Sequence, residues 1–210
     1  MKLRIYYYIL FGILFFTCGC NKFVQIGPPP TQLVTASVFN NNSAATAAQV
    51  AIYTSMVTKT ESYGLETQTG MLGDELKTFN LSSTSLQYYT NAMLAVNGPG
   101  PWNDAYNYIY QANAIISAVQ GNINLSAGVT AQLLGEAKFI RSFWFFYLVN
   151  LYGDVPLVIT TDYTVNATIA RTPKAQVYQQ IIADLKGAKA VLSSSYIDAS
   201  DTTVTTMDRT

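Results

Sequence analysis

Asp74 and Glu75 stand side by side between Gly73 and Leu76, and a pair of carboxylates is what most glycosidases use to open a glycosidic bond. That reaction needs the two groups held across the bond at a set separation, whereas adjacent residues diverge from one backbone. Any distant Asp or Glu would serve equally as a partner, so the pair reads as structural or as hydrogen bonding to a ligand. The chain has no histidine, which excludes Ser-His-Asp and Cys-His catalysis and His-containing zinc sites within it. Its 2 cysteines, Cys18 and Cys20, both lie near the start, so the rest carries neither a disulfide framework nor a Cys-based metal site. Nothing calls for a cofactor or a metal, and no enzyme activity is expected.

The chemistry that remains is that of a thiol. Lys2 and Arg4 give a short positive region, and Ile5 to Phe16 follow without a charge. This run is shorter than the roughly 20 apolar residues of a membrane-crossing helix, and it reads as a secretory signal, residues 1–19. Thr17-Cys18-Gly19 then precedes Cys20. Small residues there let the chain thread extended through a peptidase cleft, and the Cys20 thiol can take a diacylglycerol. Several acyl chains hold a protein on a membrane far better than one. Cys18 is a second conceivable acceptor, and an ordinary signal with incidental cysteines is the alternative. Residues 20–35, with Pro28-Pro29-Pro30, form an extended tether.

Lys+Arg and Asp+Glu both number 12, and charged residues are only 11% of the chain. A balanced, sparse charge argues against nucleic acid, which calls for a basic face. Uncharged polar side chains and 15 Tyr make up the surface instead. Such a surface suits neutral polyhydroxylated ligands, because a ring face stacks on the C–H face of a sugar. Most of the tyrosines are nonetheless expected half-buried with wet hydroxyls.

The elements that must position any site are helical. Ala45, Ala48, Ile52 and Met56 share one face of a helix over about 43–59, opened by Asn42 or Ser43. From about 60 to 99 glycines and Ser/Thr/Asn clusters break the pattern, leaving a short helix around 84–96 among loops. Gly100-Pro101 opens the next helix, which carries Trp102, Tyr106, Ile109 and Asn113 and ends at Gly121-Asn122. Residues 127–152 are apolar nearly all round and are expected to be buried between neighbours, with Trp144 in the core and Glu136 and Arg141 paired or bonding backbone. Gly153 stops that helix and Leu157 to Thr161 is extended. Thr172-Pro173 caps the last helix, with Tyr178, Ile181, Ile182 and Leu185 on its apolar face, and Ser193 to Thr210 reads as a polar loop. Helices joined by short turns predict an all-α fold of stacked, tetratricopeptide-like hairpins with long irregular loops over 36–210.

Several blocks in this order resemble the SusD/RagB family of nutrient-binding outer-membrane lipoproteins. They are Cys20-Asn21-Lys22-Phe23, Gly73-Asp74-Glu75-Leu76 and Trp102-Asn103-Asp104-Ala105-Tyr106. The longest runs from Gly135-Glu136-Ala137 through Arg141 to Leu151-Tyr152-Gly153-Asp154-Val155-Pro156, and Arg171-Thr172-Pro173 completes the set. The resemblance implies a helical scaffold whose loops bind oligosaccharides or other nutrients and deliver them to a SusC-like TonB-dependent transporter. It implies a palmitate-bearing lipid anchor in the outer membrane, facing the exterior, and no hydrolysis. A scaffold subunit that binds no ligand is the alternative. The stretch after Asp74-Glu75 would lie near the ligand, which makes Phe79, Tyr88 and Tyr89 the candidates for stacking on a sugar ring. Family members usually run more than twice this length, so the chain is expected to be an N-terminal portion. It also lacks an acidic run after Cys20.

Overall fold

The computed structural model describes residues 38–58, 61–80, 82–94, 101–193, 196–197 and 203–204. Residues 1–35, where the signal, Cys20 and the proline tether are expected, lie outside them. Among the described residues the order is α1 (Asn42–Thr58), α2 (Glu61–Leu72), α3 (Ser83–Tyr89), α4 (Trp102–Val119) and α5 (Ala127–Tyr152). Then follow β1 (Val155–Pro156), α6 (Tyr163–Asn166), β2 (Arg171–Thr172), α7 (Lys174–Val191), β3 (Tyr196–Ile197) and β4 (Thr203–Val204). Each strand pair is a two-residue antiparallel ladder, Val155 opposite Thr172 and Tyr196 opposite Val204.

The long helix α5 is the axis of the fold. Its Ser126 cap accepts from the Val129 N–H, and Asn42 at the start of α1 bonds both the Ser126 N–H (3.0 Å) and its hydroxyl (3.2 Å). Two helix starts are thus fastened together by one amide. Helices α4 and α7 flank α5, and α1 packs across it. Trp144 is in the core as its spacing predicts, stacked on Tyr108 of α4 at 5.1 Å between centroids. Ile109, Leu133, Ile140, Phe145, Leu148 and Val177 fill the rest of the helix contacts.

The α5–α7 crossing depends on an absent side chain. A Cβ built on Gly135 would sit 2.5 Å from Leu192 Cγ and 3.1 Å from Val191 Cγ2. Only glycine lets the end of α7 come this close.

Four expectations are corrected. Arg141 does not pair with Glu136. It pairs with Asp184 of α7, while Glu136 Oε1 accepts from Gln132 one turn back on its own helix. The α7 cap is not Thr172: Pro173 holds that position without a side-chain bond, and the Lys174 N–H goes to Asp154 Oδ1 at 2.8 Å. The irregular stretch from 60 to 99 contains α2, which the sequence hides because its hydroxyl and glycine residues blur the 3.6-residue period. Finally, Phe139 and Phe146 stand about half exposed on α5, so the helix is not enclosed on every side.

Candidate ligand-binding surface

The region after Asp74-Glu75 is shaped by the way α2 ends. The Glu75 and Leu76 N–H groups both donate to the Gly70 carbonyl, at 2.9 and 3.0 Å. Asp74 takes a φ of +59°, a left-handed conformation that Asp and Asn tolerate better than bulkier residues. These two acidic residues therefore form the turn that reverses the chain toward α3. Beyond it, Thr78 and Asn80 close a tight bend, with the Asn80 N–H on Thr78 Oγ1 (3.1 Å) and the Ser82 N–H on Asn80 Oδ1 (3.0 Å). The Ser82 hydroxyl then caps α3 through the Ser85 N–H.

Between α2 and α3 lies a cleft of about 270 Å³, lined by Gly64, Thr67, Gln68 and Met71 on one side and Thr84, Ser85 and Tyr88 on the other. No lining residue carries a formal charge. Hydroxyls and one amide supply donors and acceptors together, which suits hydroxyl groups of a neutral ligand.

The three aromatic candidates fall in different settings. Phe79 is 94% exposed on the bend, and Tyr89 is 37% exposed at the end of α3. Tyr88 is only 3% exposed and forms the inner wall of the cleft, so its ring faces are taken up by protein contacts. Only Tyr88 of the three lines the cleft. Thr67, Gln68, Thr84 and Ser85 were missed by the sequence reading, because recognising them requires knowing that 61–72 is a helix whose positions 64, 67, 68 and 71 share a face.

Behind Tyr88 the rings of Tyr152, Trp102 and Tyr106 interlock. Burial, with a smaller contribution from the neighbouring Tyr88, pushes the Tyr152 hydroxyl up to about 12. The Trp102 ring meets Tyr152 edge-on at 4.9 Å and Tyr106 at 5.0 Å, and the Arg171 guanidinium lies 5.4 Å over the Trp102 ring. Tyr106 donates to the Pro156 carbonyl at 2.8 Å, and Arg171 donates to the Asp154 carbonyl at 2.5 Å. The Gly153–Pro156 turn is thereby fixed from both sides.

A second cavity, about 380 Å³, lies against another face of α2 between Met56, Val57, Leu65, Glu66, Phe143, Trp144 and Tyr147. Its lining is mostly hydrocarbon and aromatic, so it offers hydroxyl groups few partners. Among the described residues no group of three or more His, Cys, Asp or Glu is placed to hold a metal ion. No described helix is long and apolar enough to cross a membrane.

Comparison with known proteins agrees with this architecture. The SusD-like_3 family, described as "Starch-binding associating with outer membrane", matches residues 29–207. SusD-like protein P25 of Formosa agariphila is 32% identical over 99 residues, covering 45% of this chain and 18% of that protein. Among solved structures, Bacteroides fragilis NanU superposes with a TM-score of 0.64 at 20% identity, covering 80% of this chain and 34% of its own. A structure determined with a xylogluco-oligosaccharide gives a TM-score of 0.51 at 22% identity, covering 77% and 30%. The chain thus spans about a fifth of the curated relative and a third of the solved structures.

Proposed function

The chain belongs to the SusD-like family, and from that premise we propose that it binds a neutral oligosaccharide at the α2–α3 surface and passes it to a SusC-like TonB-dependent transporter. The observation that carries this reading is the charge-free, hydroxyl- and amide-lined cleft, together with the exposed ring of Phe79 on the bend before α3 and the partly exposed ring of Tyr89 at the end of α3. Sugar hydroxyls bond to groups of mixed donor and acceptor character, and exposed rings take the C–H faces. The same reading makes the protein a non-catalytic lipoprotein, held in the outer membrane by acyl chains on Cys20 and facing outward. Its relatives' much greater length leaves room for further ligand contacts from other segments.

Calorimetric titration with a panel of neutral and anionic oligosaccharides tests the site. Saturable binding of a neutral member is expected, and the Phe79→Ala/Tyr89→Ala variant should bind roughly tenfold more weakly, the equivalent of about 1.4 kcal/mol. Tyr88 is left out of this variant because removing a buried ring would damage the fold. An unchanged affinity would place the site elsewhere. The burial of Tyr88 favours a second reading, a scaffold that docks the transporter without binding ligand, and absence of binding to the whole panel would select it.

A further inference from the structure

The cavity of about 380 Å³ between α1, α2 and α5 shares no lining residue with the α2–α3 cleft. It runs from an open lip to a closed floor. Val57 and Glu66 are exposed, whereas Leu65 and Trp144 are buried. Three rings of α5 form one wall. Phe143 and Tyr147 meet at 4.9 Å between centroids, and Phe143 stands edge-on to Trp144 at 5.4 Å. Tyr108 of α4 stacks on the same indole. The Trp144 Nε1–H is nonetheless buried and finds no acceptor among the described residues. An unpaired buried donor has lost its water without recompense, and most such groups in folded proteins have a partner.

We propose that this cavity binds a small aromatic amine that also carries an acceptor oxygen, with the oxygen on Trp144 Nε1–H and the ammonium toward Glu66. Each part of that ligand answers a separate feature. Met56, Leu65 and the three rings offer hydrocarbon to an apolar body. Glu66 is the one formally charged residue among the described lining residues. Its carboxylate attracts a cation and repels an anion. The faces of Phe143 and Tyr147 strengthen that preference, because a ring face is the negative pole of the aromatic quadrupole. Exposure of Glu66 lets the ammonium stay hydrated at the lip while the ring is buried. A sugar would instead press most of its hydroxyls against hydrocarbon, with one indole donor to meet them. The assignment is therefore independent of the oligosaccharide reading.

The test titrates the full chain with tyramine, phenethylamine and 3-(4-hydroxyphenyl)propionate, followed by two-dimensional proton–nitrogen NMR. Phenethylamine lacks the acceptor oxygen, and the propionate reverses the charge while leaving the charged end equally hydrated. The chain has 2 Trp, so a Trp102→Phe variant assigns the Trp144 indole signal. Tyramine should move that signal downfield and saturate. Phenethylamine should bind severalfold more weakly, as expected for the loss of one hydrogen bond. The propionate should bind roughly tenfold more weakly, since an exposed ion pair and a cation–π contact are both lost. Glu66→Gln alters an exposed side chain and spares the core, and it should narrow the gap between tyramine and the propionate severalfold. No saturable movement of the Trp144 signal with any probe would overturn the proposal. Equal affinities for the three probes would do the same, as would a preference for tyramine undiminished in Glu66→Gln.

Discussion

Arg141 of α5 and Asp184 of α7 meet in a buried, two-pronged ion pair, Nε to Oδ2 at 2.8 Å and Nη2 to Oδ1 at 2.6 Å. The remaining side of the guanidinium donates from Nη1 to Asn113 Oδ1 of α4 at 2.8 Å. The Asn113 amide goes on to the Val158 and Thr160 carbonyls, at 3.0 and 3.4 Å. One charged pair thus ties three helices and the extended segment after β1 into a single network. Desolvation makes such a pair a weak source of net stability, but breaking it strands a buried charge.

Asp184→Ala should therefore cost about 3–5 kcal/mol. The double change Arg141→Met/Asp184→Leu should cost less than Asp184→Ala alone, because no charge is left unpaired. Urea denaturation of the three chains measures this, and a double variant worse than the single would contradict the account.

Gly135 marks the closest approach of α5 to the end of α7. Gly135→Ala should destabilise by about 1–3 kcal/mol through overpacking, despite the better helix propensity of alanine. Adding Leu192→Ala makes room for the new methyl group and should recover part of the loss. Thermal melts of the single and double variants decide it.

Asp154 acts as a helix cap delivered from a distant turn. Loss of its carboxylate in Asp154→Ala should cost about 1 kcal/mol, as for other caps. Asp154→Asn retains an oxygen acceptor for the Lys174 N–H and should lose less. The order of the denaturation midpoints, native above Asn above Ala, is the check.

Alkaline pH should weaken the fold through two tyrosines. Burial raises the Tyr106 hydroxyl well above its usual range, partly offset by Arg171, and burial with Tyr88 lifts Tyr152 to about 12. A folded-state value above the unfolded one means the contribution is complete below about pH 10, where unfolded tyrosine begins to ionise, and is lost as pH rises through the folded value. Stability should fall between about pH 10 and 12, and Tyr152→Phe should make that fall shallower. Equal slopes in the two proteins would refute the assignment.

Much of this protein could be read from its residues. The periodicity of Ala127–Tyr152 and of Trp102–Val119 placed α5 and α4 nearly to the residue, because long helices with many core positions carry a strong 3.6-residue signal. The order of the short blocks carried the family, and the absence of histidine narrowed the chemistry.

Only tertiary structure decided the partners of the polar groups. Arg141 had an acidic residue on its own helix at position 136, yet its charge is met by Asp184, 43 residues away, since the packing of α7 on α5 places that carboxylate in reach. The cap from Asp154 to Lys174 likewise depends on β1 lying beside β2. Helix α2 escaped the sequence reading because its period is weak, and with it went the face that lines the cleft. For the three aromatic candidates, composition and position could not separate an exposed ring from a buried one. The packing behind α3 did, turning Tyr88 inward beside Tyr152 and leaving Phe79 and Tyr89 toward solvent.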